Sequence, residues 1–350
     1  MNKQPFFSIG IPVYNSSRWL GECIDSILNQ NFDDFELICV DDGSTDNSLD
    51  ILNEYAKKDS RIRIMKRDND GPSTARNALI KASAGKYIYM IDSDDTMCEN
   101  ILKQAYDIIV TDNYPDVLET GYIKKHTFNG NTDILYYLPE KPYSPQEYAT
   151  PALTGDEFAV SLWLDNKLSA WASTKFIRND FITANGIMYQ CKYFAREDAD
   201  FSIRLLRKAK TISIAPFHYF VYYLPREGSI STVFSYKAFK SIICYYVDFF
   251  SDLEFWKLSD GIRARVEEKK LQVYSDNRDY LISMPHNGKS TAEILKTAEM
   301  VEHFAGKEIN KLPLPSGQNG IICRLFRIIG IKNTMSLLCR YLKLKGIVKE

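Results

Sequence analysis

Apolar positions in the first third of the chain follow two alternating periods. Short runs rich in β-branched and aromatic residues (Phe6 to Val13, Phe35 to Val40, Arg61 to Lys66 and Tyr87 to Ile91) read as strands. Between them the spacing changes to that of a helix. Leu20, Cys23, Ile24, Ile27 and Leu28 form one stripe, with Ser16 or Ser17 as its cap. Leu49, Leu52, Tyr55 and Ala56 form a second, capped by Asp46. Pro72 suits the first turn of a third helix, which runs to Ala84 and stops at Gly85. Strands and helices alternating at this spacing predict an α/β fold, a mostly parallel sheet with helices on both faces. Ligands of such sheets bind outside the carboxyl ends of the strands.

Beyond Asn113 the pattern weakens. Asp116 to Tyr122 reads as a strand, and residues 125–150 as an irregular loop or hairpin. Helical stretches are expected near 155–165 and 174–184, and Asp198 opens a helix with Phe201, Leu205 and Leu206 inward. Thr211 to Ile214 and His218 to Tyr223 read as two short strands, and the chain is mostly helical after Ser235. His218, alone on an apolar strand, reads as a core residue rather than as a metal ligand.

Composition narrows the functional classes. A net charge of −1 gives no global field for nucleic acid. Seven scattered cysteines without a CxxC pair suggest neither a disulfide framework nor a zinc site, and fit a reducing cytoplasm. The N-terminus enters the first strand directly, without the pattern of a signal peptide, and no apolar run is long enough to span a bilayer.

The candidate chemistry lies where strands end. Tyr87 to Ile91 opens into Asp92-Ser93-Asp94-Asp95, three acids in four residues. Like charges this close repel, and a cation relieves them. Oxygen ligands suit Mg²⁺ or Mn²⁺, which usually bridge to substrate phosphates. The competing reading is an acidic turn with Asp95 capping the next helix. Val40-Asp41-Asp42-Gly43-Ser44-Thr45-Asp46 also places acids at a strand end, where a carboxylate can accept from a base edge, or simply make a turn. Tyr14, after the first strand, can stack on a base. Asn69 to Asn77 combines a turn at Gly71 with a helix start, and Arg76 lies one turn in. It lacks a Walker ending, and no GxGxxG fingerprint occurs in the chain.

Taken in order, Pro12-Val13-Tyr14-Asn15, Phe35 to Ile38, Val40 to Asp46, Gly71 to Asn77 and Asp92 to Asp95 resemble the family 2 glycosyltransferases of the GT-A fold. The resemblance is strong over about residues 6–110. It implies an inverting transfer from a nucleotide-sugar donor, a UDP-sugar, to a hydroxyl of a glycan or lipid-linked glycan, in bacterial surface polysaccharide assembly. It also implies Mn²⁺ or Mg²⁺ as cofactor. By residue, it matches Asp42 to the acid that reads uracil, Asp94 to the metal ligand, and Asp92 to a contact with the ribose or donor sugar. Pro12, Tyr14, Arg76 and Ser93 fall in the same nucleotide-binding motifs. Trp171 to Ile177 resembles the family's Trp-Asn-Lys element, with Ala-Ser-Thr before Lys175 where Asn normally stands, and this match implies Lys175 as a further donor contact. Arg196-Glu197-Asp198 resembles the motif that ends in the catalytic base, which would be Asp198; acids stabilising a helix start are the alternative. Tyr222 to Ser231 resembles a loop that closes over the diphosphate, with Arg226 and Ser229 as phosphate contacts. The implied layout is a catalytic domain over 1–232, with a donor half (1–112) and an acceptor half (113–232), followed by a helical region over 233–350. A sugar nucleotidyltransferase would want a glycine-rich loop after the first strand, and Asn15-Ser16-Ser17-Arg18 has none. A non-catalytic glycan-binding module would be expected to lack Asp94 or Asp198.

The tail, 321–349, mixes Arg324, Arg327, Lys332, Arg340, Lys343, Lys345 and Lys349 with an apolar stripe and carries no acid before Glu350. Two readings stand: a cationic helix on an anionic membrane, giving a cytoplasmic protein peripheral on the inner face, or a bundle with solvated charges.

Overall fold

The computed structural model describes residues 4–128, 131–137, 155–165, 169, 171–224, 236–287 and 289–344. Contacts divide the chain into two compact units, residues 1–233 and 234–350.

The first unit is built on one mixed sheet. Its opening half is β1 (Phe7–Val13), α1 (Leu20–Leu28), β2 (Phe35–Asp41), α2 (Ser48–Lys58), β3 (Ile62–Lys66), α3 (Pro72–Ala82) and β4 (Tyr87–Met90). After β5 (Thr96–Met97) and α4 (Ile101–Thr111) come β6 (Val117–Phe128), β7 (Asn131–Tyr137) and α5 (Gly155–Leu164). β8 (Lys175–Arg178), α6 (Asn179–Ala184), α7 (Glu197–Lys208) and β9 (Ile212–Leu224) complete it. The strand order is β3-β2-β1-β4-β8-β6-β9-β5, with β7 on β6. β3, β2, β1 and β4 run parallel, while β8 is antiparallel to both β4 and β6. The order reverses between β1 and β4, which makes their carboxyl ends the switch point where such sheets bind ligands.

Strand parity sorts the core. Phe7, Ile9, Ile11 and Val13 face α1, α2 and α4 in one cluster with Leu37, Cys39, Tyr87 and Tyr89. Ile38 and Val40 face the other way, against Ala75, Ala78 and Leu79 of α3. Gly10 shares this second face, and a Cβ there would lie 3.0 Å from Leu79 Cδ1. The small residue therefore lets α3 approach the sheet and seats its N-terminus near the strand ends.

The structure departs from the sequence reading where pairing is long-range. Residues 175–178, expected within a helix, form β8, because they complete ladders with both β4 and β6 and stack Phe176 on Tyr89 at 4.4 Å. A two-residue apolar run does not distinguish strand from helix by period. The two strands expected at 211–223 are one, β9, whose ladder to β6 skips 215–217, where Pro216 has no amide to donate. The irregular stretch expected from 125 begins as the β6–β7 hairpin; 138–154 lies outside the described residues.

The second unit contains α8 (Tyr236–Leu253), α9 (Asp260–Ser283), α10 (Thr291–Lys311), α11 (Gly317–Ile329) and α12 (Ile331–Leu344). Ser290 and Glu293 form a capping box at α10. Buried Arg278 donates to Pro313 O at 3.0 Å, tying α9 to the chain after α10. The tail is two helices, since Gly330 takes φ 86° and breaks it. Glu302 accepts from Lys332 N at 2.9 Å and so satisfies an amide at the start of α12. Phe326 of α11 and Ile331, Met335, Cys339 and Leu342 of α12 are buried. Among the described residues no helix is long and apolar enough to cross a membrane.

Candidate active site

Side-chain hydrogen bonds lace together the loops at the carboxyl ends of β1, β2 and β4. Asn15 takes φ 49° and accepts from Thr45 N at 2.8 Å, and its own amide donates to Ser44 Oγ at 3.1 Å. Asp46 accepts from Ser17 N, Ser48 N and Ser48 Oγ at 3.0, 2.9 and 2.6 Å. Burial pushes its carboxyl up, but these hydrogen bonds outweigh that and hold it at about 2. Ser16 Oγ and Ser93 Oγ lie 2.6 Å apart, joining the first loop to the acidic turn after β4. Tyr14, 49% exposed, is the open aromatic surface at this end, directly after Pro12 and Val13 of β1.

Asp42 performs a task that the sequence did not reveal. It is buried, and its two oxygens accept from Asp70 N at 3.3 Å and Gly71 N at 2.8 Å. The carboxylate thus pins the turn that leads into α3 to the end of β2. Gly71 takes φ 92° with nothing within 4 Å of an added Cβ. A side chain there would be strained by its backbone and not by crowding. The first turn of α3 then closes on this residue, with Thr74 N and Ala75 N donating to Gly71 O at 3.1 and 3.2 Å.

Arg76, one turn into α3, is the hub. Buried, it donates from Nη2 to Asp92 Oδ1 at 2.8 Å and from Nη1 to Glu197 Oε1 at 3.1 Å. Asp198 Oδ1 lies 3.5 Å from the same Nη1, an ion pair beyond hydrogen-bond geometry. Burial disfavours the guanidinium charge, but Asp198, Asp92 and Glu197 hold it firmly protonated. The face of Tyr189 supports it at 5.4 Å, and Tyr189 stacks on Phe201 of α7 at 4.1 Å. Asn77 completes the junction, donating to Tyr189 O at 2.9 Å and accepting from Tyr189 N at 2.7 Å. These contacts bring the start of α7 against α3 across more than a hundred residues of sequence.

Asp198 sits in the first turn of α7, after Arg196 at φ 71°. Its side chain is 20% exposed. Burial pushes its carboxyl up; Arg76 pulls it down, Glu197 and Asp92 push it up again, and the balance is about 7. A carboxyl at that value can take a proton near neutral pH.

Asp94 is half-buried beside Ser93, and Asp95 N donates to Asp92 O at 3.0 Å, closing the turn that presents it. Among the described residues no group of three or more His, Cys, Asp or Glu is arranged to hold a metal unaided. The donor set still fits a hard cation, because such ions commonly take one or two carboxylates and complete their shell with substrate phosphate and water. Burial first, then Asp95, Asp94 and Asp92, raises the nearby Cys23 thiol, which reports the negative field at this turn. His218 is half-buried with its ring edge on Tyr136 at 5.1 Å, and burial lowers its pKa.

Lys175, expected among the donor contacts, is fully buried. Its Nζ donates to Ser169 O at 2.7 Å, Thr174 Oγ1 at 2.9 Å and Trp171 O at 3.3 Å, and pairs with Glu119 at 3.3 Å. Burial pulls the Lys175 ammonium down and pushes Glu119 up, each offset by the other's charge. It anchors the segment carrying Trp171, which packs on Tyr122 at 4.5 Å and Tyr222 at 4.8 Å. Arg226 and Ser229 lie outside the described residues. Of the residues now in the cluster, Glu197 and Asn77 lie within matched motifs without having been singled out. Tyr189 carries no signal in sequence at all, being one tyrosine among 22.

Known proteins resemble this chain to different extents. Residues 8–157 match the family Glycosyl transferase family 2. A poly(ribitol-phosphate) beta-glucosyltransferase of Bacillus spizizenii is 33% identical over 231 residues, covering 65% of this chain and 33% of that enzyme. The chain spans between 33% and 61% of the length of three such curated relatives. Among solved structures, Staphylococcus aureus TarS 1–349 in complex with UDP-GlcNAc superposes with a TM-score of 0.63 at 19% identity, covering 97% of this chain and 92% of that one. A mannosyltransferase of Pyrobaculum calidifontis in complex with GDP-Man and Mn²⁺ gives 0.52 at 11% identity, covering 99% and 87%. At these identities the two structures establish the fold, the GT-A type that the sequence resembles. Over residues 8–157 the chain resembles glycosyl transferase family 2.

Proposed function

We propose that this chain is an inverting glycosyltransferase that moves a sugar from a UDP-sugar to a hydroxyl of a glycan or lipid-linked glycan, in the assembly of a bacterial surface polysaccharide. One observation carries the reading. A single buried guanidinium, Arg76, holds both Asp92 at the end of β4 and Asp198 at the start of α7. Two carboxylates from distant parts of the chain thereby meet beside the switch point of the sheet, one on the donor side and one with a pKa suited to a base.

In this reading the donor lies across the ends of β1, β2 and β4. Tyr14 stacks on the base, and Asp42 accepts from it while keeping the turn at Gly71 in place. Asp92 and Ser93 orient the ribose and donor sugar, and Pro12 shapes the end of β1. A divalent cation on Asp94, when bound, neutralises charge on the leaving diphosphate. Asp198 takes the proton from the acceptor hydroxyl as it attacks the anomeric carbon in line. Arg76 keeps Asp198 and Asp92 at fixed separation and lowers the pKa of the base toward the working range. The UDP-GlcNAc bound by TarS and the Mn²⁺ with the mannosyltransferase support these choices by likeness of fold. A cytoplasmic location follows from the nucleotide-sugar donor.

The test is direct. Purified protein is incubated with a panel of UDP-sugars with Mn²⁺, with Mg²⁺ and with EDTA, and UDP release is measured. Release with at least one donor, abolished by EDTA and by Asp94→Ala, is expected. Neither binding nor hydrolysis of any donor would overturn the reading.

A further inference from the structure

The second unit carries a surface that the transfer chemistry leaves unused. Residues 309–349 contain eight basic side chains and no acidic one. In α11 the inward positions are Cys323 and Phe326, and the outward stripe is Ile321, Arg324 and Ile328, at helical spacing. In α12 Ile331, Met335, Cys339 and Leu342 turn inward, and Leu337, Arg340 and Tyr341 turn out. The outer faces of surface helices are normally polar. Here Ile321 is 60% exposed, Ile328 75% and Leu337 52%, each within four residues of an exposed arginine. Two of the other cations serve the fold: Arg327 donates to Leu312 O, and Lys332 pairs with Glu299 at 2.9 Å. Arg324 and Arg340 lie among the exposed aliphatics.

We infer that the outward face of α11 and α12 docks on an anionic lipid bilayer, lying in its interface without crossing it. Aliphatic side chains interleaved with cations suit the boundary between acyl chains and acidic headgroups. Charge complementarity selects this occupant over a second copy of the chain. A two-fold contact through this face would set arginine against arginine, with no acid in the segment to answer. No helix is apolar enough to span, among the described residues, so the contact is peripheral. The inference is independent of the sugar-transfer reading, because it uses none of the residues of that site.

The experiment is co-sedimentation of the full chain with vesicles of phosphatidylcholine alone and of phosphatidylcholine mixed with phosphatidylglycerol, at low and high salt. Sedimentation with the mixed vesicles only, weakened by salt, is expected. Two variant pairs, Ile328→Asp with Leu337→Asp and Arg324→Glu with Arg340→Glu, should each lower partitioning by more than about tenfold. Both pairs change exposed positions, so circular-dichroism melts and UDP-sugar hydrolysis should match the parent. A parent chain that stays in the supernatant with mixed vesicles overturns the inference, and so does an aspartate pair that sediments like the parent. A lipid-free dimer, seen by light scattering and abolished by the aspartate pair, also overturns it by assigning the face to a second copy. UDP-sugar hydrolysis without vesicle binding separates failure of this inference from failure of the transfer reading.

Discussion

The half of the sheet that ends at β4 and the half that begins at β6 position their functional groups in different ways. In the first, each polar residue at a strand end is fixed by neighbouring loops. Asn15 holds Thr45, Asp42 holds Gly71, and Ser16 meets Ser93. In the second, the group that matters is fixed from outside: Glu197 and Asp198 are set by Arg76, and the segment before them by Asn77. The loops at the ends of β1, β2 and β4 are therefore a self-contained framework, whereas Asp198, the proposed base, is borrowed into place by α3. Three loops gathered at a switch point can be exchanged only together, while a base held through one guanidinium can be detuned by one substitution.

Removal of the base itself should have the largest effect. Asp198→Asn keeps the shape and the contact with Arg76 but takes away the proton acceptor. Turnover should fall by about 10²–10⁴-fold. Donor affinity, measured by calorimetry with the UDP-sugar and Mn²⁺, should stay within about threefold, since the proposed contacts of the donor lie on the other half. A fall in affinity equal to the fall in turnover would mean that the two halves are not separable.

Loss of the hub should be next in size. Arg76→Lys keeps a charge but cannot reach two carboxylates in fixed geometry. Turnover should drop by roughly tenfold to a hundredfold. The pH profile distinguishes this from mere loosening. The base must be ionised, so kcat/KM of the parent should rise with pH through about 7. Arg76 lowers the pKa of Asp198, so weakening it must move that rising limb to higher pH. A limb that stays in place, or moves down, would show that Arg76 does not tune the base. Asn77→Ala should act more weakly, costing about 1–3 kcal/mol for the backbone groups of Tyr189 left without partners. A chemical-denaturation midpoint measures this.

The same contrast explains what could be read from sequence. The strands up to β4, their helices and the acids at their ends announce themselves locally, through period, caps and Asp-rich turns. Asp94, Asp42 and Asp92 belong to that class. The family resemblance pointed to Asp198, but nothing local tied it to Arg76, and Tyr189 had no mark at all. β8 was hidden because Phe176 and Ile177 become a strand only when β4 and β6 flank them. Lys175 is a related case. A lysine in a binding motif reads as a ligand contact, and only the fold reveals that Glu119 stands directly opposite it in the ladder.

Lys175 offers the finest cut between the two halves, with the smallest expected effect on donor binding. Its ammonium makes its contacts with Glu119, Thr174 and the carbonyls of Ser169 and Trp171. Lys175→Met alone leaves Glu119 buried without its cation and should cost about 3–5 kcal/mol. Combining it with Glu119→Leu removes the stranded charge, and most of that stability should return, because a buried ion pair replaced by apolar side chains is often neutral. The double variant is thus the informative protein: folded, yet without the lysine. If Lys175 only anchors the Trp171 segment, the KM for the UDP-sugar should match the parent, and any loss should fall on the acceptor. If instead the double variant is stable but its donor KM rises by about tenfold or more, the lysine reaches the diphosphate during turnover. The second half of the sheet would then contribute to the donor site after all, and the division drawn between the two halves would have to move.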